Sequence, residues 1–152
     1  MRNLKYNEPR AGDVLRIPIA RDRWLFGRVI STNAHAGAFD DSWSDCVLLY
    51  VFRHVSSTGV PPRPLLTVDL LFPPVISSHE LWQQRRCELV ENRPFEPGEV
   101  LAQHCFESMI WTPPRYFDDK GNRLSHRIEP CGMHGVTLLH GLEVAINDAM
   151  HG

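Results

Sequence analysis

His104 and Cys105 stand side by side, and an imidazole beside a thiol is the pair from which nucleophilic catalysis starts. Adjacent residues of a strand project to opposite faces, so in an extended segment these two do not meet. A buried structural cysteine is the simpler reading of Cys105. Cys131 and His134, three apart, suit zinc, with His126, His140 and Cys105 as further ligands if folding gathers them. Zinc sites ordinarily use two tight local pairs; here there is one, and Gly132 inside it serves a turn equally well. Cys46, Cys87, Cys105 and Cys131 are scattered without a CxxC pair. No phosphate-binding glycine loop, paired-carboxylate motif or Ser-His-Asp motif is present. The expectation is a chain with no catalytic residue, no metal ligand and no cofactor.

Two other groupings suit binding. Asp40, Asp41 and Asp45 surround Trp43 in a stretch rich in Gly, Ala and Ser. Tryptophan is a good desolvated anchor, and carboxylates steer and pair with a cationic protein partner. Glu88, Glu91, Asp118 and Asp119 are further acidic candidates, which solvated turns and strand faces explain at least as well. Trp24 and Phe26 interleave with Arg21, Arg23 and Arg28, a pattern able to stack bases and hold phosphates. The formal net charge of −2 over 152 residues disfavours that nucleic-acid reading.

These residues need elements to position them. Residues 12–30 alternate with period two, Leu15, Ile17 and Ile19 on one strand and Trp24 to Ile30 on the next, which predicts a hairpin linked by residues 20–23. Pro18 cannot donate to a ladder, so the first strand lies at an edge or bulges there. Residues 31–45 read as a long loop and residues 46–53 as a strand buried on both faces. Residues 65–72 and 99–106 are further strand candidates. A short helix over 78–85 capped by Ser78, an extended stretch over 87–91, and a hairpin turn at 118–122 complete the middle. Leu138, Leu142, Ala145, Ile146 and Ala149 recur at helical spacing and predict a C-terminal helix packed on the sheet. The expected fold is α+β and mostly β: a curved antiparallel sheet or small SH3-like open barrel with a C-terminal helix. One domain over 1–152 is expected, with 1–11 a loose N-terminal arm.

The motifs Gly12-Asp13-Val14, Ile17-Pro18, Gly27-Arg28-Val29 and Leu71-Phe72-Pro73-Pro74 resemble the immunity protein 26 family, found beside bacterial polymorphic toxins. Further echoes are Trp82, residues 90–94 and residues 116–122, in order over about 12–124. The segments 33–45 and 60–64 look longer than the family pattern, and nothing from Glu129 onward carries it. The resemblance implies a protein that binds a cognate toxin domain and occludes its active site or an adjacent surface, protecting the producing cell. Such a protein needs no catalytic group. Asp40, Asp41, Trp43, Asp45, Asp118 and Asp119 are the expected partner-binding residues. An SH3-like nucleic-acid-binding module is the alternative, and a thiol or zinc hydrolase the third reading.

Composition fits a cytoplasmic protein. No run of roughly eighteen apolar residues offers a membrane span, and the first residues lack the apolar region of a secretory signal. Reduced thiols are then expected.

Overall fold

The structure, a computed structural model, describes residues 8–36 and 44–152. Strand β1 (Asp13–Ala20) turns through Arg21 and Asp22 into β2 (Arg23–Ala34), the turn closing with Asp22 at φ 55°. Then follow β3 (Cys46–Val51), β4 (Val75–Ser77), α1 (Glu80–Gln83), β5 (Glu88–Asn92) and β6 (Cys105–Ser108). The chain ends with β7 (Arg115–Phe117), β8 (Arg123–Leu124), β9 (Cys131–Met133), β10 (Val136–Thr137) and α2 (Leu139–His151). One open sheet has the order β10-β4-β3-β2-β1-β5, and a second the order β8-β7-β6-β9. All pairs are antiparallel except β10 with β4 and β6 with β9. Neither sheet closes into a barrel, and the mostly β composition with a terminal helix is as the sequence predicts.

The first sheet is apolar on both faces, because its strands alternate between two cores. Leu15, Ile17, Leu25, Val29, Val47, Leu49 and Val51 face Leu81 and Trp82 of α1 and Leu139, Leu142 and Ile146 of α2. Val14, Phe26, Ile30, Leu48, Tyr50 and Phe52 face the other way, with Phe106 of the second sheet and Leu65. Burying a side chain of this size contributes roughly 1.5–3 kcal/mol. β3 is central and wholly buried, as its unbroken apolar run requires. At Pro18 the register of β1 shifts, and β5 pairs with β1 only as far as Arg16. Both devices suit a residue without an N–H.

Three expectations need correction. β2 continues to Ala34 instead of yielding to a loop at Ser31, because irregular steps at Val29/Ser31 and Ser31/Ala34 keep it paired to β3. Residues 65–72 form no regular strand: the Leu65 N–H is taken by Glu99 and the Thr67 N–H by the Gly98 carbonyl, a 3₁₀ turn covers Thr67–Asp69, and only Leu70 bridges to Phe52. Strand β6 starts at Cys105, not at Glu99, whose side chain is committed elsewhere.

That commitment is a buried charge knot. Arg28 and Glu99 are wholly buried and their charged ends are 3.1 Å apart. Arg28 Nη1 donates to the carbonyls of Gly12 and Arg93, and Nη2 to that of Pro94. The Phe95 ring lies 4.6 Å from the guanidinium carbon. Glu99 also accepts from Arg93 at 3.1 and 3.0 Å and from the N–H groups of Leu65 and Glu96 at 2.7 and 2.8 Å. Gly12 makes this approach possible: its φ of 93° suits glycine, and a Cβ there would lie 2.9 Å from the Arg93 carbonyl. Asp13 beside it is buried, accepting from the Arg10 N–H and from Asn92 Nδ2. The motifs at Gly12-Asp13, Gly27-Arg28 and 90–94 thus converge on one interior structure.

Burial pushes the Glu99 carboxyl up, but the donors from Arg93, Glu96, Leu65 and Arg28 outweigh it and bring its pKa from 4.5 down to about 2. A depressed carboxylate contributes stability that is present above its unfolded value and lost as pH falls through its folded one. Urea denaturation should therefore show stability falling by about 3 kcal/mol, from this group, between pH 5 and pH 2. Glu99→Gln should cost roughly 3–5 kcal/mol at pH 7, by leaving the buried Arg28 guanidinium without its carboxylate, whereas Arg93 keeps Glu96. It should also remove that part of the acid dependence.

Candidate functional site

The turn that carries Asp118 and Asp119 lies against the end of β2. The hairpin turn between β7 and β8 packs on the last residues of β2. The His35 N–H donates to the Asp119 carbonyl at 2.8 Å, and Lys120 Nζ donates to Asn33 Oδ1. Gly121 closes the turn at φ 86°, where a Cβ would lie 2.9 Å from the His35 ring. Asp45 sits across from this point, since Ala34 pairs with Cys46. It is exposed, adopts φ 58°, and its carbonyl contacts His79 Nε2 at 3.1 Å. The turn therefore meets the chain at Asn33 and His35, while Asp45 is tied to His79. Asp40, Asp41 and Trp43 lie outside the described residues.

The two turn aspartates are engaged internally. Asp118 accepts from the N–H groups of Lys120 and Asn122 and from Asn122 Nδ2, which is ordinary Asx-turn chemistry. Asp119 Oδ1 lies 3.6 Å from His104 Nδ1. The His104 ring holds the Asp119 carboxyl below its usual value, against the opposing effect of burial. His104 Nε2 is 2.6 Å from Tyr50 Oη, which also accepts from the Leu101 N–H at 3.1 Å. Burial pushes the Tyr50 phenol up to about 12, so it stays protonated at neutral pH. This Tyr50–His104–Asp119 relay runs from the core between the sheets to the turn. It pins the turn to β3, and it was missed from sequence because Tyr50 is 54 residues from His104 and the three share no local motif.

The remaining candidates separate. His104 serves this relay while Cys105 contacts Cys131, with the sulfurs 3.1 Å apart. Among the described residues no group of three or more His, Cys, Asp or Glu is placed to hold a metal ion. His134 stacks on Phe117 with ring centroids 4.5 Å apart, and burial lowers its pKa. The interleaved aromatic and basic stripe does not form on one surface. Phe26 and Arg28 are wholly buried, Arg16 lies 5.5 Å from the Trp24 ring, and Arg21 and Arg23 are left exposed on the β1–β2 turn. No helix among the described residues is long and apolar enough to cross a membrane.

The two-sheet scaffold thus holds the 118–122 turn against the end of β2. A family model described as Immunity protein 26 matches residues 10–109, from the approach to β1 through β6. The chain belongs to this family, and an immunity function in general comes with it. The match takes in the whole charge knot and the 33–45 segment and stops short of the 118–122 turn. No curated protein and no solved structure matches the chain.

The relay gives a direct stability test. Tyr50→Phe should cost about 1–3 kcal/mol in urea denaturation, because the Leu101 N–H and His104 lose a buried partner. Lys120→Ala, removing an exposed contact of the same turn, should cost less than about 1 kcal/mol. Equal small losses would mean that the relay does not hold the turn.

Proposed function

We propose that the protein binds a cognate toxin domain and neutralises it by covering its active site or an adjacent surface. The observation that carries this reading is the family match over residues 10–109. The protein acts by steric and electrostatic complementarity and not as an enzyme, in the cytoplasm of the cell that makes the toxin. The toxin belongs to a polymorphic or contact-dependent inhibition system.

The contact surface in this reading is the end formed by the 33–45 segment and the 118–122 turn. Three things support it. The segment is long, and long loops on a rigid sheet vary readily, as discrimination among related toxins requires. Asp45 is exposed there, and Asp40, Asp41 and Trp43 supply carboxylates and an aromatic anchor from sequence. The turn is held by Lys120–Asn33 and by the relay, so it is presented without much ordering cost on binding. Asp118 and Asp119 act here as an acidic rim whose carboxylates mainly shape the turn. The nucleic-acid reading is weaker, with Phe26 and Arg28 in the interior.

Affinity capture with the product of the neighbouring gene, followed by calorimetry, tests the proposal. Trp43→Ala should weaken toxin binding by about 2 kcal/mol or more while barely changing the melting temperature. Changing Asp40 and Asp41 to Asn should mainly slow association, by less at high salt. If Trp43→Ala instead unfolds the protein and leaves binding per folded molecule intact, the interface lies elsewhere. Submicromolar binding of generic RNA at physiological salt, abolished by changing Arg21 and Arg23, would favour the nucleic-acid reading.

A further inference from the structure

Cys105 and Cys131 are direct register partners on the parallel strands β6 and β9. Their Sγ atoms lie 3.1 Å apart, and the two residues are 1% and 8% exposed. Neighbouring strands run about 4.8 Å apart, within the Cα separation a disulfide accepts, and side chains of paired residues share a face. Roughly 1 Å of further approach brings the sulfurs to bonding distance. The other two thiols are placed differently. Cys46 and Cys87 belong to opposite cores, and each donates to a nearby backbone carbonyl, of Ser44 and Leu81.

We propose that Cys105 and Cys131 form a dithiol site that closes to an intramolecular disulfide in the presence of a low-molecular-weight disulfide such as oxidised glutathione. Cys131 is the more accessible and reacts first. Its thiolate attacks one sulfur of the glutathione disulfide, that S–S bond breaks, and one glutathione leaves as a thiolate. Cys105 then loses its proton to solvent and attacks Cys131 Sγ, expelling the second glutathione. In sum the two protein thiols lose two protons and two electrons, and one glutathione disulfide becomes two thiols. Burial and the neighbouring Cys105 thiol push the Cys131 thiol up to about 12, so the reaction is slow at pH 7 and quickens with rising pH.

The bond would tie more than two strands. β9 rests on the first sheet at Gly132, where a Cβ would lie 2.5 Å from the Pro74 carbonyl. It leads through Gly135 into β10, which pairs with β4. A β6–β9 bridge therefore fastens the second sheet to the hook that joins it to the first. The cysteines are 26 residues apart, so the closed loop restrains the unfolded chain appreciably.

The test uses the full chain at pH 8.5 with excess oxidised glutathione. Free thiols should fall from four to two, with a mass loss of two hydrogens, and peptide mapping should join Cys105 to Cys131. The melting temperature should rise by about 5–10 °C and return on adding dithiothreitol. Cys131→Ser should abolish the bridge and the shift, while the chain with Cys46→Ser and Cys87→Ser should keep both. Four free thiols after a time in which the urea-unfolded chain oxidises fully would overturn the proposal. So would a bridge mapped to Cys46 or Cys87, or glutathione adducts without an internal bond.

Discussion

The buried contact between Arg28 and Glu99 is the constraint on which the rest of this structure depends. Neither charge reaches solvent, and each is bound by groups drawn from distant parts of the chain, with only Nε of Arg28 left without a hydrogen-bond partner. Arg28 gathers the carbonyls of Gly12, Arg93 and Pro94; Glu99 gathers Arg93, Leu65 and Glu96. Gly12, Leu65 and the stretch 93–99 are thereby held around Arg28 of the first sheet. Desolvating two such charges costs several kcal/mol each, so the pair adds little net stability over an apolar packing of the same shape. What it enforces is arrangement. A misplaced residue 12 or 93 strands a buried charge, and that penalty is far larger than a lost van der Waals contact.

The same knot explains what sequence could and could not show. The β1–β2 hairpin, the buried β3, the β7–β8 hairpin and α2 were legible because each is set by a local period or by turn chemistry. The motifs at 12–14, 27–29 and 90–94 were visible as a family pattern, but their joint purpose was not. Glu99 read as the start of a strand, because its partner Arg28 is 71 residues away. Residues 65–72 alternated well enough for a strand, yet Glu99 captures the Leu65 N–H and turns the segment aside. The short strands β4, β9 and β10 carry too few residues to show a period. They exist because the second sheet and the Pro74–Gly132 contact place them. The 118–122 turn was legible by itself. Only the fold, through Asn33, His35 and the Tyr50–His104–Asp119 relay, sets it against the end of β2.

Scaffold and recognition therefore occupy different parts of the molecule in this account. The family-matched residues of the knot are interior and do structural work. The proposed contact surface lies outside the knot, at the 118–122 turn and the 33–45 segment. In that proposed reading one fold serves many toxins, because side chains outside the knot can change without disturbing buried charges.

Hydrogen exchange of the chain, alone and with the product of the neighbouring gene, tests that division most directly. The account predicts that the partner slows exchange in residues 33–45 and 118–122. Exchange at residues 12–14 and 93–99 should be slow in the free protein and stay unchanged. Slowing confined to α2 and the end of β1, with none at residues 33–45 or 118–122, would contradict it.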